Sequence, residues 1–511
     1  MPVPDSCRLS NSMLHQANAI VEVRLSRVVK CLHHPLTRFL SRQVTIGKLS
    51  DNVLLNIFGY FLDVSPQYWP RLVHTCRRWR RIVLASQQAL HLRLFCTHGT
   101  PVLKTLPCWP NLPIIVQYGR ISNFDPPAPE DDENIIFALN QSDRVRSITL
   151  AVTSSLLGKL FAIKWPFWQL QDLVLQPRNS VPLTLPRAFR WGTRLRCLKL
   201  TRIIVPLLLQ LLYSSRNLVD LQLHEVFDPQ KISPEVLTNT LSRMTQLRSL
   251  SLHIPFTTDR NGISPRPRKR VVLPALTSLN FRGNTKYLED LVARIDAPRL
   301  RGIKVTFLNE SIFDLSKLTK FIDQIEMHKS HRRADILLSE RDISISLTQP
   351  GSPTNIKLQV LKQLSDSELL YSMDRICQYF SAVFSNVEDL RISATGQSPA
   401  SLEISRPTIL RSFAGVKRFY VAGNNSTNIM HVLQAPDWRR ENVLPSLHKL
   451  LVSQPGPHLR EAVVSLMVSR RLSGYPITVE YERLCHICEP GGAGTISAQC
   501  YCCQHSQSRL K

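Results

Sequence analysis

Glycine is scarce in this chain, because 18 glycines in 511 residues are about half of the usual share. Loops that bind phosphate groups need glycine, since only a residue without a side chain lets the backbone approach the phosphate closely. The signatures G-x-x-x-x-G-K-[ST], G-x-G-x-x-G, H-E-x-x-H and G-x-S-x-G are all missing. We therefore expect a protein that is not an enzyme.

Long apolar runs are missing as well. The longest dense run, residues 203–213, contains Pro206 and Gln210 and is about half as long as a helix that spans a bilayer. The twelve cysteines occur without a secretory signal peptide, which favours reduced intracellular thiols over a disulfide framework. These features predict a chain without a membrane-spanning helix and with a cytoplasmic and/or nuclear location.

Acidic residues are outnumbered, with 38 Asp and Glu against 64 Lys and Arg, and the net charge is +26. Such an excess is typical of proteins with an acidic partner, nucleic acid included, but a solvated basic surface has the same composition. The first segment, residues 1–46, is a basic flank whose composition resembles a transit peptide. We interpret it as a flank ahead of the first domain, because no organellar chemistry follows.

Residues 47–90 carry two apolar stripes at helical spacing, separated by Pro66 and Pro70. The first stripe consists of Leu49, Val53, Leu54, Ile57, Phe58, Phe61 and Leu62, and the second of Leu72, Val73, Cys76, Trp79, Ile82 and Val83. Four arginines occupy the other side of the second helix. A unit of this size has little core of its own, so we expect part of its apolar surface to bind another protein. An unrelated helical hairpin, or a nucleic-acid patch at residues 76–81, is the alternative.

The order of these residues resembles an F-box. The matching residues are Leu49-Ser50-Asp51-x-Val53-Leu54-x-x-Ile57-Phe58-x-x-Phe61-Leu62 and Leu72-Val73-x-x-Cys76-Arg77-Arg78-Trp79-Arg80-x-Ile82-Val83. Ser50 stands where F-boxes usually have proline. The resemblance implies binding to the Skp-type adaptor of an SCF cullin-RING ubiquitin ligase. The adaptor-binding residues that it implies are Leu49, Ser50, Val53, Leu54, Ile57, Phe58, Leu72, Val73, Cys76 and Trp79.

Residues 91–484 resemble the corresponding part of fungal F-box proteins that carry leucine-rich repeats. Residues 91–144 are similar to their connector and linker, and a motif Φ-x-x-Φ-x-Φ, in which Φ is apolar, recurs over residues 145–484. The motif begins at residues 145, 170, 195, 218, 247, 276, 300, 387, 416 and 447. This spacing is typical of leucine-rich repeats, and the long gap predicts hidden strands at residues 343–347 and 356–360.

Return helices are expected after Ser233 and around residues 287–295. The predicted fold class is thus an α/β repeat: a small all-α F-box module followed by an irregular leucine-rich-repeat solenoid that binds the substrate. A generic leucine-rich α/β domain is the alternative.

Two local features have open interpretations. In the Cys-rich tail, residues 485–511, Cys485, Cys488, Cys500 and Cys503 have the spacing of a zinc site, but the same residues fit a tail without metal. The basic cluster at residues 264–270 has the composition of a nuclear-import signal, which also arises by chance. We expect no metal and no other cofactor.

The resemblance implies a non-catalytic substrate-recognition subunit of an SCF-type ubiquitin ligase, acting in the ubiquitin conjugation pathway. Its expected partners are the Skp-type adaptor with its cullin-RING ligase and an unknown protein substrate. We expect neither nucleic acid nor a membrane as a partner. The alternative function, motivated by the net charge of +26, is a basic scaffold associated with nucleic acid.

Overall fold

The computed structural model describes most of the chain from Ile46 to Glu482. The described residues are 46–98, 100–109, 111–118, 129–161, 167–179, 181–185, 193–206, 208–226, 232–254, 270–308, 314–325, 331–339, 342–349, 351, 355–361, 366–394, 407–422, 429–430, 433, 443–453 and 457–482. The chain divides after Leu211 into two compact units. Among the described residues, no helix is both long enough and apolar enough to cross a membrane.

The first unit begins with three helices and continues with alternating strands and helices. Its elements are α1 (Asp51–Val64), α2 (Trp69–Thr75), α3 (Arg77–Ala85), β1 (Leu94–Thr97), α4 (Val102–Thr105), β2 (Ile114–Tyr118), α5 (Pro129–Leu139), β3 (Val145–Val152), α6 (Ser154–Phe161), β4 (Asp172–Pro177), β5 (Leu183–Thr184), β6 (Cys197–Thr201) and β7 (Ile203–Ile204). Short 3-10 helices lie at Ile46–Lys48, Pro66–Tyr68 and Leu106–Cys108. The next helix, α7 (Leu208–Ser214), contains the division between the units.

Strands β1, β2, β3, β4 and β6 of the first unit lie side by side in this order, and each pairs with the next in parallel. The pairing brings apolar residues into line across the strands, as Ile148, Leu173 and Leu198 show. These three side chains are buried, because alternate residues of a strand point to the same face. The small strands β5 and β7 pair separately.

The second unit contains the larger share of the strands. Its elements are β8 (Asp220–His224), α8 (Pro234–Leu241), β9 (Ser249–His253), β10 (Val271–Val272), β11 (Ser278–Gly283), α9 (Thr285–Val292), β12 (Ile295–Asp296), β13 (Gly302–Phe307), α10 (Ser316–Asp323), β14 (Arg333–Leu338), β15 (Asp342–Thr348), β16 (Asn355–Leu361), α11 (Asp366–Tyr379), α12 (Ser381–Phe384), β17 (Asp389–Ala394), α13 (Pro407–Arg411), β18 (Arg418–Ala422), β19 (Lys449–Ser453), α14 (Pro457–Leu472) and β20 (Thr478–Glu482). Strands β10 and β12 form a separate small pair.

The strand order in the second unit is β8-β9-β11-β13-β16-β15-β14-β17-β18-β19-β20. Strand β15 is antiparallel to both of its neighbours, and the other pairs described within this unit are parallel. The helix expected after Ser233 is confirmed as α8, with Ser233 as its N-cap and Pro234 in its first turn. Most of residues 287–295 lie in α9, which Asn284 caps.

The core lies on one face of the strands, where each recurring motif contributes three apolar side chains. The first of them is almost fully buried and, except for Val145 of β3, comes just before its strand, as for Leu195, Leu218 and Leu276. The second and third lie within the strand and face the same side. The motif therefore encodes a strand together with the turn that leads into it.

The predicted fold class, a small all-α F-box module followed by an irregular leucine-rich-repeat solenoid, is wrong. Among the described residues, five strands of the first unit lie side by side in a parallel sheet, and eleven strands of the second unit lie in a mixed sheet. Strands β1 and β2 lie within residues 91–144, which were expected to be a connector and linker, and residues 343–347 and 356–360 form an antiparallel pair instead of successive repeats. The chain is a large mixed α/β protein. An apolar motif predicts single strands with one buried face, but it does not encode which strands share a sheet or in which direction they run.

Candidate functional site

The start of helix α1 is held by Ser50. Its Oγ accepts a hydrogen bond from the backbone N–H of Val53 at 3.4 Å, so Ser50 is the N-cap of the helix. Asp51 follows in the first turn, where a carboxylate interacts favourably with the helix dipole. The side chain of Ser50 therefore stabilises the start of helix α1.

Helices α1 to α3 pack together, and we call them the module. Arg78 on α3 connects the start of α1 to the rest of the module. Its guanidinium donates to Asp51 Oδ1, through Nε at 2.8 Å and Nη2 at 2.6 Å, and to the carbonyl oxygens of Gly47 and Leu49. Arg80 donates from Nε to the carbonyl oxygen of Val73 at 3.1 Å. Two central arginines of the basic run are thus engaged within the module, a role that their charge alone did not reveal.

One stripe of α1 faces the interior of the module. Leu54 and Phe58 are each only 1% exposed, and the ring of Phe58 meets the ring of Trp79 edge to face, with 4.8 Å between their centroids. Leu72 and Val73 of α2 are buried as well. Four of the ten residues predicted to bind an adaptor are therefore part of the module's core.

A second apolar stripe of α1 faces away from that core. Val53, Ile57, Tyr60 and Val64 are spaced by four, three and four residues, which places them along one side of the helix. Val53 is 43% exposed, Tyr60 73% and Val64 80%, while Ile57 is half-buried. We call these four residues the outward stripe. Tyr60 and Val64 were missed from the sequence, because all apolar residues of α1 were assigned to a single stripe; the same helical spacing could have found them.

The other predicted site residues have mixed positions. Leu49 is half-buried just before α1, and Ser50 is exposed. Cys76 is an exposed thiol that caps α3, since its Sγ accepts a hydrogen bond from the backbone N–H of Trp79 at 3.5 Å. Trp79 itself is half-buried. Val53 and Ile57 are therefore the predicted residues that the structure places together on an outer helix surface.

The opposite end of the module is anchored to the segment that leads into β1. Trp69 is buried, and its Nε1 donates to the carbonyl oxygen of Arg93 at 2.6 Å. The ring of Trp69 also contacts the ring of Trp109 edge to face, at 4.7 Å between centroids. The contacts of Trp69 thus hold the helices against the following segment, while the outward stripe is accessible.

Among the described residues of the first unit, Cys96, His98 and Asp131 are the trio that comes nearest to a reactive group. Cys96 on β1 lies close in sequence to His98, whose Nδ1 is 2.9 Å from Asp131 Oδ2. Burial raises the pKa of the Cys96 thiol to about 12, so the thiol stays protonated near neutral pH. A buried, protonated thiol is a poor nucleophile, and this trio therefore does not support cysteine chemistry.

Two features predicted from the sequence, the cysteines of the tail and the basic cluster, cannot be placed in the structure. The four cysteines of the tail and most of the basic cluster at residues 264–270 lie outside the described residues.

A comparison with protein-family models finds no match, and a search of curated proteins finds none either. Helices α1 to α3 are therefore the basis for assigning a function.

Proposed function

We propose that the chain is a non-catalytic substrate-recognition subunit of an SCF-type cullin-RING ubiquitin ligase, and that its helices α1 to α3 bind a Skp-type adaptor. The observation that carries this proposal is the outward stripe. A helix on the surface of a single protein needs only one apolar stripe, which faces its own core. A second stripe leaves apolar area in water, which is typical of a surface that binds another protein.

The outward stripe has the composition and length of an interface centre. Helix α1 has 14 residues and is about 21 Å long at ~1.5 Å per residue. Tyr60 supplies an aromatic anchor, and Val53, Ile57 and Val64 supply aliphatic contacts beside it. A stable interface buries roughly 800 Å² on each partner, more than one helix face provides. The half-buried Trp79 of α3 is then a second contact, in line with the F-box-like sequence.

The proposed role requires no reactive group in this chain. Binding the adaptor through α1 and the target through other surfaces brings the target to the ligase at a high effective concentration. The transfer of ubiquitin is then carried out by other subunits. The nucleic-acid alternative has no comparable support in this region, because Arg78 and Arg80 are engaged by Asp51 and by backbone carbonyl groups.

The chain offers a closely matched pair of variants for the test. Val53 and Val236 both occupy the third position of a helix with a serine N-cap, and both donate from the backbone N–H to the serine Oγ at 3.4 Å. They are 43% and 40% exposed. Aspartate at this position interacts favourably with the helix dipole, so Val53→Asp and Val236→Asp should both fold.

The measurement is capture of a purified Skp-type adaptor by the full-length protein. Wild type and Val236→Asp should retain the adaptor, and Val53→Asp should lose it, because a carboxylate would be buried against an apolar partner surface. A wild-type chain that captures no adaptor would contradict the proposal. Equal weakening by the two variants would also contradict it, since the outward stripe would then have no special role.

A further inference from the structure

One part of the sheet in the second unit carries no acidic residue. Strands β9, β11, β13 and β16 lie side by side in parallel, and none of the four contains an Asp or Glu. One face of these strands packs into the core, and the other face carries Lys, Arg, His and small polar side chains.

Three cations lie close together on this outer face. Lys304 of β13 and Lys357 of β16 are direct partners in the strand register, and Arg282 of β11 is paired with Thr306 of β13. No ion pair connects Arg282, Lys304 or Lys357 to a carboxylate within the part of the chain that the structure describes. Like charges directly opposite each other destabilise a sheet, so an anion bound between the two lysines would stabilise it.

The last strands of the same unit are different. Arg418 of β18 is paired with Asp389 of β17 at 2.6 Å, and Lys449 of β19 with Glu480 of β20 at 2.7 Å. Each of these cations thus has a carboxylate on the next strand. Since the chain neutralises exposed cations across strands there, the lack of acidic residues on β9, β11, β13 and β16 is a local feature.

The polar side chains next to the three cations are held in place by hydrogen bonds, and Gln359 also donates to Asp342 of β15. Asn280 donates from Nδ2 to Ser251 Oγ at 3.0 Å, and Thr306 Oγ1 donates to Gln359 Oε1 at 3.3 Å. Gly302 contributes no side chain, and a Cβ placed there would lie 3.2 Å from Asn355 Oδ1. We call Arg282, Lys304 and Lys357, with the short polar side chains between them, the basic face.

The basic face fits an extended acidic segment better than a nucleic acid. Alternate side chains of an extended chain point to the same side about 7 Å apart, and neighbouring strands are spaced by ~4.8 Å. A segment with alternating acidic residues can therefore place its carboxylates near cations on neighbouring strands. Single-stranded nucleic acids bind through aromatic stacking, but Phe281 and Phe307, the only Phe, Tyr or Trp residues of the four strands, are buried on the core side.

We propose that the basic face binds an extended, acidic segment of a partner protein. The further assignment of that segment as the recognition element of the ligase target rests on the function proposed above. The binding itself depends only on charge and shape in the second unit.

The test uses a fluorescein-labelled peptide of alternating aspartate and serine and the full-length protein, with fluorescence anisotropy as the readout. The double variant Lys304→Glu/Lys357→Glu should weaken binding by about tenfold or more, because two charge-assisted contacts become repulsive. The control is Lys286→Glu/Lys320→Glu on helices α9 and α10, where both lysines are exposed. It changes the net charge equally and should alter the affinity by less than about twofold.

Two outcomes would overturn the proposal. Equal weakening by both double variants would mean that the peptide responds only to net charge. The second competitor is a single-stranded DNA oligonucleotide of the same charge. If it displaces the labelled peptide as effectively as unlabelled peptide does, the face binds any polyanion. The single variant Lys304→Glu checks the geometry, because it creates an opposite-charge pair with Lys357 and should raise the melting temperature.

The assay contains no adaptor, so its result is independent of the ligase function. The Lys304→Glu/Lys357→Glu protein should still capture the Skp-type adaptor. If the peptide binds as expected and no adaptor is captured, the basic face stands and the ligase function fails. If the adaptor is captured and the peptide does not bind, the proposal for the basic face fails alone.

Discussion

Glu289 provides a quantitative prediction, because its buried carboxylate caps a helix to which it does not belong. The N-cap residue of helix α10, Leu315, supplies no side-chain cap, and Asp314 accepts only from the first N–H of the helix, that of Ser316. Glu289 on α9 accepts hydrogen bonds from the backbone N–H groups of Lys317, at 2.7 Å, and Leu318, at 2.8 Å. Burial, the largest effect, raises the pKa of Glu289 to about 7, although the two N–H donors oppose that shift.

The raised pKa makes the stability of the protein depend on pH. Between the ordinary glutamate value of 4.5 and about 7, the folded chain keeps a proton on Glu289 that the unfolded chain has lost. The free energy of unfolding should therefore fall as the pH rises through this range. At ~1.4 kcal/mol per pKa unit, the total loss is about 3 kcal/mol, complete above the folded pKa.

Glu289→Gln tests this reasoning, because an amide of the same shape does not titrate. Relative to wild type, the variant should gain about 3 kcal/mol between pH 4.5 and pH 8 in urea denaturation followed by circular dichroism. A constant difference between wild type and Glu289→Gln over this range would refute the reasoning.

Three further predictions concern helices α1 to α3. Phe58→Ala should cost about 3–5 kcal/mol, because it leaves a cavity in the core beside Trp79, and it should raise hydrogen exchange throughout α1. Tyr60→Ala should change stability by less than about 0.5 kcal/mol and still abolish adaptor capture; normal capture by this variant would exclude Tyr60 as an anchor. Arg78→Ala should destabilise the start of α1 by about 1–2 kcal/mol, seen as faster exchange over residues 46–54, because Asp51 and two carbonyl groups lose their donor. Arg77→Ala, at an exposed neighbouring position, is its control and should leave that exchange unchanged.

The positions of individual strands could be predicted from the sequence, but their assembly could not. Leu198 and Leu200 lie in β6, as the recurring motif predicts, since alternation within a strand is a local property. Strand β1 was missed because its four residues are too few for a periodic signal. The direction of β15 was also missed, because pairing depends on turns and on distant partners, which apolar spacing does not encode.

The candidate site was predictable to a similar extent. The helical spacing located α1 correctly as a helix with apolar residues, but it did not separate the core side, with Leu54 and Phe58, from the outward stripe. That separation depends on where α3 packs, and α3 is positioned partly by Arg78, whose hydrogen bonds cross 27 to 31 residues of sequence. Such a contact leaves no periodic pattern in the sequence.

The antiparallel strand β15 has a consequence for the order in which the second unit folds. Along most of the sheet a strand pairs with the next motif, as β11 does with β13, 24 residues later. The neighbour of β13 on its other side is β16, and each residue of β16 lies 53 positions after its partner on β13. Closing the longer loop costs only about 0.6 kcal/mol more, but non-local pairing slows folding. Until β14, β15 and β16 are in place, β13 and β17 both present unpaired edges, and substitutions at residues 342–361 are therefore the ones expected to promote aggregation during synthesis.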